Sequence, residues 1–194
     1  MILKPTKENI ARAAEEILGG GVVAFHAGTV FGLGGLAPYA ADRIRRLKGR
    51  GRDKPFLLNV ASVAAIKRIA RVSAAEYRLM RAFMPGELTL VLRAKKDSRL
   101  SGDGFVRVRV PGDPPLLALL RKIGAPLIST SANRSGDAPA LSAAGVQKIF
   151  PRITVLDSPA KVSGVPSTIA KVENGKIEIL RLGNITPDEM LKAL

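Results

Sequence analysis

Pro126-Leu127-Ile128-Ser129-Thr130-Ser131-Ala132-Asn133-Arg134-Ser135-Gly136 is a short apolar run that passes directly into hydroxyls, an amide and a glycine. The apolar start predicts a buried strand at Pro126–Ser129, and the polar continuation predicts a loop at its end carrying Ser131 and Asn133. Upstream, Pro114 and Pro115 open a helix through Leu116, Leu117, Leu119 and Leu120, and Gly124 closes it. Downstream, Ser142 caps another helix. A helix, a strand, a polar loop and a second helix in sequence indicate a sheet covered by helices, with chemistry at a strand end.

The rest of the chain extends this pattern. A helix starts after Thr6 and places Ile10, Ala13, Ala14, Ile17 and Leu18 on one face before Gly19-Gly20-Gly21. A buried strand, Val22–Phe25, follows. Gly28-Thr29-Val30-Phe31-Gly32-Leu33-Gly34-Gly35 then reads as a glycine-studded segment leaving that strand, its backbone N–H groups open to a ligand, with a tight structural turn as the competing reading. Further elements are a basic helix at 40–48, a strand at Phe56–Val60, a helix from Ser62, and a helix Glu76–Met84 behind the Ser73/Glu76 capping box. Strands at Leu88–Arg93 and Phe105–Val110 come next, and in the latter the valines alternate with Arg107 and Arg109, which share the opposite face. Strands near Ile153–Leu156, Thr168–Val172 and Ile177–Leu180 and a helix announced by Thr186, Pro187 and Glu189 complete the chain. Helices and strands mix without strict alternation, so the expected class is α/β (α+β), one domain over residues 1–194 on a twisted mixed sheet.

Composition narrows the chemistry. Thirty-one Lys and Arg against sixteen Asp and Glu give a formal charge of +15, which suits polyanions such as RNA or highly charged small substrates. The absence of cysteine excludes disulfides, thiolate nucleophiles and thiolate metal sites, and a single histidine excludes an imidazole-built zinc site. The first residues lack the pattern of a signal peptide, and no apolar stretch approaches the roughly 20 residues that span a bilayer. A cytoplasmic protein without membrane contact is expected.

Seven basic residues fall between Arg43 and Lys54. A solvated helix face accounts for Arg43 and Arg46, whereas Gly49 and Gly51 break the helix and put Arg50, Arg52 and Lys54 on a loop able to clamp phosphates. Lys48-Gly49-Arg50 and Ser131-Ala132-Asn133 each pair two polar residues across a small one, and together they form an anion-handling set of the kind used on nucleotide phosphates. Neither a Walker A nor a Gly-x-Gly-x-x-Gly pattern occurs. His26 ends an apolar strand, where a structurally satisfied imidazole is the better reading than a hydrolase triad.

In order along almost the whole chain stand Thr29-Val30-Phe31-Gly32-Leu33-Gly34, Lys48-Gly49-Arg50 with Lys54-Pro55, Pro85–Leu92, Val108-Arg109-Val110-Pro111, Ser131-Ala132-Asn133 with Ser135-Gly136, Gly164–Ile169 and Arg181-Leu182-Gly183. This series resembles the YrdC-like family of threonylcarbamoyl-AMP synthases, in its single-domain form. The resemblance implies a YrdC-like twisted mixed sheet with flanking helices and a basic concave face. It also implies formation of threonylcarbamoyl-adenylate and pyrophosphate from L-threonine, bicarbonate and ATP with Mg²⁺, for modification of tRNA by threonylcarbamoyl transferase proteins. On that pattern Lys48, Arg50, Ser131 and Asn133 form the signature catalytic tetrad. They are joined around ATP by Lys54, Ser167 and Arg181, while Thr29, Asn59, Arg109 and Ser129 lie around the threonine; no protein metal ligand is implied.

Where members of that family commonly read Pro-Thr-Asp/Glu-Thr-Val-Tyr-Gly-Leu, this chain reads His26-Ala27-Gly28-Thr29-Val30-Phe31-Gly32-Leu33, without a hydroxyl at 27, a carboxylate at 28 and a phenol at 31. Glu87 stands for a common Pro, and Gly112-Asp113 for a frequent Asp-His. The amino-acid half of the pattern is therefore less well kept than the nucleotide half. The alternatives to the synthase are an RNA-binding YrdC-like module, bound to tRNA or double-stranded RNA with little or no catalysis, and a paralogue acting on another amine. The first is opposed by an aromatic content of 4%, low for base stacking.

Overall fold

The computed structural model of the protein describes residues 1–95, 100 and 103–194. Among these residues ten strands form a single sheet: β1 (Ile2–Leu3), β2 (Val23–His26), β3 (Phe31–Leu36), β4 (Leu57–Asn59), β5 (Leu88–Arg93), β6 (Phe105–Arg109), β7 (Leu127–Ser131), β8 (Thr154–Leu156), β9 (Thr168–Glu173) and β10 (Lys176–Arg181). Their spatial order is β1-β8-β2-β3-β7-β4-β6-β5-β9-β10. The sheet is mixed: β8 runs parallel to β1 and β2, β6 to β4 and β9 to β5, and the other neighbours are antiparallel.

Among the described residues seven helices flank it: α1 (Lys7–Leu18), α2 (Ala41–Lys48), α3 (Val63–Ile69), α4 (Ala74–Phe83), α5 (Pro114–Ile123), α6 (Ala143–Ile149) and α7 (Pro187–Lys192). Most begin on the residue the sequence nominates, because a side-chain oxygen satisfies one of the exposed N–H groups of the first turn. Thr6, Ser62, Ser73, Asp113, Ser142 and Thr186 all do this, and the capping boxes at Ser73/Glu76 and Thr186/Glu189 are complete. Gly49 and Gly124 end α2 and α5 in the left-handed region.

The period-two alternation of the strands divides the core into two layers. Ala24, Leu33, Leu58, Leu90, Val108 and Ile128 face one way and pack with Ile44, Ile66, Leu79, Met80, Val146 and Met190 from five helices. Val23, Phe25 and Leu127 face the other way, under Ala13, Ala14 and Ile17 of α1 and Leu116, Leu119 and Leu120 of α5. These two helices cover one end of that second face. Further along it, Asn59 of β4, Arg107 and Arg109 of β6 and Thr89 of β5 carry polar groups into an open cavity, to which β9 adds Ile169.

Three expectations are corrected. Leu18 is 53% exposed, because α1 turns its apolar stripe so that Ala13, Ala14 and Ile17 fill the interface and Leu18 falls outside it. The glycine-rich segment does not cradle a ligand along its length: residues 31–36 form β3, hydrogen-bonded to β2 and β7. Its glycines make room for a ring, since a Cβ on Gly34 would lie 2.6 Å from the Phe25 ring and one on Gly32 would lie 3.0 Å from it. β7 also runs as far as Ser131, so this serine stands on the strand rather than on a loop.

Candidate active site

The cavity holds about 440 Å³ on the open part of the sheet. Strand register builds its floor. Asn59 pairs with Arg109 across β4 and β6, and Leu57 pairs with both Ser129 of β7 and Arg107 of β6, so Asn59, Arg107, Arg109 and Ser129 share one face. Thr29, Thr89, Ser131 and Ser167 also line the cavity, as do Arg50 and Arg181. Four arginines thus face it, and among the described residues its lining contains no carboxylate.

Arg109 is 2% exposed, and its guanidinium is fixed by the walls. Nε donates to Gly86 O at 2.7 Å, Nη2 to Ala27 O at 3.0 Å and Nη1 to Thr29 Oγ1 at 3.3 Å. Burial pushes its pKa down to about 10; the nearby Glu87 opposes that shift, Arg181 adds to it, and Asp113 again opposes it. Five N–H donors leave two beyond these three bonds, enough for a bidentate grip on an anion. Beside it Asn59 is 1% exposed and donates through Nδ2 to Ser129 Oγ at 2.7 Å, and among the described residues its Oδ1 has no partner. Such a buried acceptor in a cavity wall suits a ligand donor.

On the opposite wall, Thr89 Oγ1 and Ser167 Oγ share a hydrogen bond of 2.8 Å. Arg181 donates to Ser167 O from Nε at 3.1 Å and from Nη2 at 2.8 Å, and Nη2 also reaches Ser167 Oγ at 3.1 Å. Burial lowers the Arg181 pKa. Gly183 turns the chain so tightly against Pro166 O and the Thr168 amide that a Cβ there would overlap the backbone. The Arg181-Leu182-Gly183 pattern is therefore geometric as well as chemical.

The tetrad expected from sequence is brought together, but its members do different things. Arg50 follows α2, lines the cavity, and donates from Nη2 to Pro55 O at 2.8 Å and from Nη1 to Thr130 Oγ1 at 3.3 Å. Burial lowers its pKa, with Arg45 adding to the effect and Asp53 opposing it. Ser131 lines the cavity and donates to Asn133 Oδ1 at 2.6 Å. Lys48 is not on a polar loop. It is the last residue of α2, 3% exposed, one turn beyond buried Ile44, and its ammonium donates to Ser131 O, to Asn133 O at 2.7 Å and to Asn133 Oδ1 at 2.9 Å. Burial, with the Arg50 charge adding to it, pushes the Lys48 pKa down to about 8. Asn133 is 7% exposed and spends Nδ2 on Arg134 O and Asp137 O, both at 2.7 Å. Lys48 and Asn133 thus form a buried brace behind Ser131 and are not part of the cavity lining. Lys54 is exposed and likewise outside the lining.

Thr89, Thr130 and Arg107 are cavity residues that the sequence motifs do not mark as site residues. The alternation of Leu88, Leu90 and Leu92 against Thr89 and Val91 was the available signal for the first. The substituted positions near residue 27 separate cleanly. Ala27 lines the cavity and Gly28 has φ 81°, whereas Phe31 is buried in the core and meets the His26 ring edge-on at 5.5 Å. Phe31 itself is not part of the cavity lining, although its neighbours Val30 and Gly32 are. His26 Nδ1 pairs with Asp113 Oδ1 at 2.9 Å, in line with a structural imidazole.

A family model for the Sua5/YciO/YrdC domain, described as telomere recombination, matches residues 15–183. The chain belongs to the Sua5/YciO/YrdC family. A relative from Bacillus subtilis (strain 168) named threonylcarbamoyl-AMP synthase is 32% identical over 197 residues, covering 97% of this chain and 57% of its own length. A relative of the same name from Thiobacillus denitrificans is 35% identical over 165 residues, 81% of this chain and 88% of the relative. Among solved structures, P. abyssi Sua5 complexed with L-threonine superposes with a TM-score of 0.92 at 30% identity, over 100% of this chain and 61% of that one. E. coli YciO superposes at 0.87 over 98% of both chains, and at 21% identity it speaks for the fold alone. The chain thus spans little more than half of the Bacillus relative and nearly all of the Thiobacillus one. The Sua5/YciO/YrdC fold is the mixed sheet expected from the sequence.

Proposed function

We propose that this chain is a nucleotidyltransferase that makes L-threonylcarbamoyl-adenylate and pyrophosphate from L-threonine, bicarbonate and ATP. The observation that carries this reading is the cavity itself: among the described residues it is lined by four arginines, a set of hydroxyls and one unpartnered buried amide oxygen, with no carboxylate. Such a lining suits two anions that must approach one another and offers nothing that would repel them. The names of the curated relatives and the threonine-bound Sua5 structure support the choice of substrates.

Threonine amine and bicarbonate combine to a carbamate with loss of water. A carbamate oxygen then attacks the α-phosphorus of ATP, and the bond to the β,γ-phosphates breaks to release pyrophosphate. On this reading Arg109 grips the threonine carboxylate through its two remaining donors, and Asn59 Oδ1 accepts from the amino acid. Arg50, Arg181 and the hydroxyls of Ser131 and Ser167 meet the nucleotide. Catalysis is by positioning and charge stabilisation, which needs no histidine or carboxylate base.

Mg²⁺ is expected to accompany ATP. Among the described residues no group of three His, Cys, Asp or Glu side chains could hold a metal ion, and the cavity lining offers no carboxylate. A protein-held Mg²⁺ does not fit these residues, so the ion would belong to the nucleotide phosphates. Transfer onto tRNA would fall to separate threonylcarbamoyl transferase proteins. A purely RNA-binding module is not favoured, because it has no use for the unpartnered Asn59 oxygen or for the braced Ser131.

The test is pyrophosphate release by the purified chain with ATP, Mg²⁺ and bicarbonate. Release that requires threonine, and is lost in Arg109→Ala, supports the reading. Release that serine or no amino acid supports equally well rejects it.

A further inference from the structure

Arg107 lies outside the Val108-Arg109-Val110-Pro111 motif that the family resemblance accounts for, yet it lines the cavity. Resting on the nucleotide reading above, we infer that Arg107 forms, with Arg50, a subsite for the terminal phosphates of the nucleotide, the part that departs as pyrophosphate. The sheet register carries the argument. Arg107 is paired with Leu57 and Arg109 with Asn59, so the two arginines occupy successive rows of one face. The Asn59–Arg109 row ends against Ala27 and Thr29, where the amino acid is assigned. Leu57 stands two residues beyond Pro55, whose carbonyl holds Arg50, and is flanked by Arg107 of β6 on one side and on the other by Ser129 of β7, the neighbour of Thr130 to which Arg50 also donates. Arg50 and Arg107 therefore approach one end of the cavity from either side of Leu57. Two guanidinium groups at one end match a group bearing several charges, whereas a single phosphate monoester can be satisfied by one fork.

Arg107 is also held in a way that a ligand can take over. Nη2 pairs with Asp103 Oδ2 at 2.7 Å across one strand end, and Nη1 donates to Phe105 O at 3.3 Å. The Asp103 side chain is about half exposed, so its pairing with Arg107 is weakly held against solvent. A phosphate entering the cavity would displace this carboxylate and leave Asp103 to water. Asp103 also accepts from the Phe105 amide, a bond that an asparagine in its place can keep.

The prediction has two opposite signs. Arg107→Gln should weaken binding of ATP and of pyrophosphate by about ten-fold, the usual cost of one charge-assisted contact, while leaving AMP unchanged. Asp103→Asn should tighten ATP and pyrophosphate and again spare AMP. Calorimetric titration of the full chain with ATP, AMP and pyrophosphate, with far-ultraviolet circular dichroism to show that each variant is folded, reads both. Arg107→Lys serves as the second variant and should recover part of the loss. An ATP-to-AMP affinity ratio equal to wild type in Arg107→Gln overturns the subsite and leaves the nucleotide reading intact. A wild type that binds pyrophosphate but neither nucleotide overturns the nucleotide reading, and the effect of Arg107→Gln on pyrophosphate alone then decides the subsite.

Discussion

Replacing Lys48 by methionine separates two roles that its place in the signature tetrad leaves joined. In the structure the ammonium does not line the cavity; it braces Ser131 O, Asn133 O and Asn133 Oδ1 from behind. Methionine keeps an unbranched side chain one atom shorter than lysine and removes all three bonds. A hydrogen bond from a charged donor contributes about 1.5–3 kcal/mol, but these three share one desolvated ammonium, so the expected net loss is ~3 kcal/mol. For a domain of this size that is a fall of roughly 6–12 °C in Tm. A companion signature is the pH dependence. Lys48 titrates at about 8 in the fold and near 10.4 in the unfolded chain. Between those values the unfolded chain holds more protons, so wild-type stability relative to Lys48→Met must rise as the pH goes from 8 to 10. Urea unfolding of both proteins at pH 7.5 and 9.5, with ATP titration alongside, measures these effects. Full stability in Lys48→Met together with abolished ATP binding would refute the brace and return Lys48 to direct phosphate contact. A stability gap that shrinks with rising pH would refute the burial argument.

Other substitutions test neighbouring parts of the account. Arg109→Lys should raise the threonine KM at least ten-fold, because an ammonium cannot reproduce the fork, while the ATP KM changes little; equal changes in both would exclude a carboxylate grip. Gly34→Ala should destabilise by about 1–3 kcal/mol, as its methyl meets the Phe25 ring, and thermal unfolding reads the loss; wild-type stability would contradict the packing reading of β3. Gly183→Ala should disturb ATP binding more than threonine binding, since the overlap falls on Pro166 and Thr168 beside Ser167. Competitive titration distinguishes that from a uniform loss.

Local signals carried most of the fold. The caps Thr6, Ser62, Ser73, Ser142 and Thr186 placed helix starts, and the Arg107/Arg109 alternation placed one face of β6, because both depend on residues adjacent in sequence. β1 went unread: two residues long, it exists only through pairing with β8, which lies more than 150 positions away. Gly32 and Gly34 look like parts of a ligand loop in sequence because the reason for them, the ring of Phe25 on the neighbouring strand, is a tertiary contact. The site was legible as a set of residues and less so as a division of labour. Lys48 follows Ile44 by one helical turn, which was the available sign that it would be buried, but its partners Ser131 and Asn133 lie over 80 positions away. Helical spacing alone does not distinguish a phosphate ligand from a brace. Asn59 was named through resemblance, whereas its unpartnered oxygen, the feature that gives it a chemical role, is visible only in three dimensions.

The most direct measurement is the mass of the product formed from ¹³C-bicarbonate, L-threonine, ATP and Mg²⁺. The account predicts one adenylate that contains threonine and a single ¹³C, formed in step with pyrophosphate and lost in Arg50→Ala. An adenylate lacking the label, or ADP and phosphate in place of pyrophosphate, would contradict it.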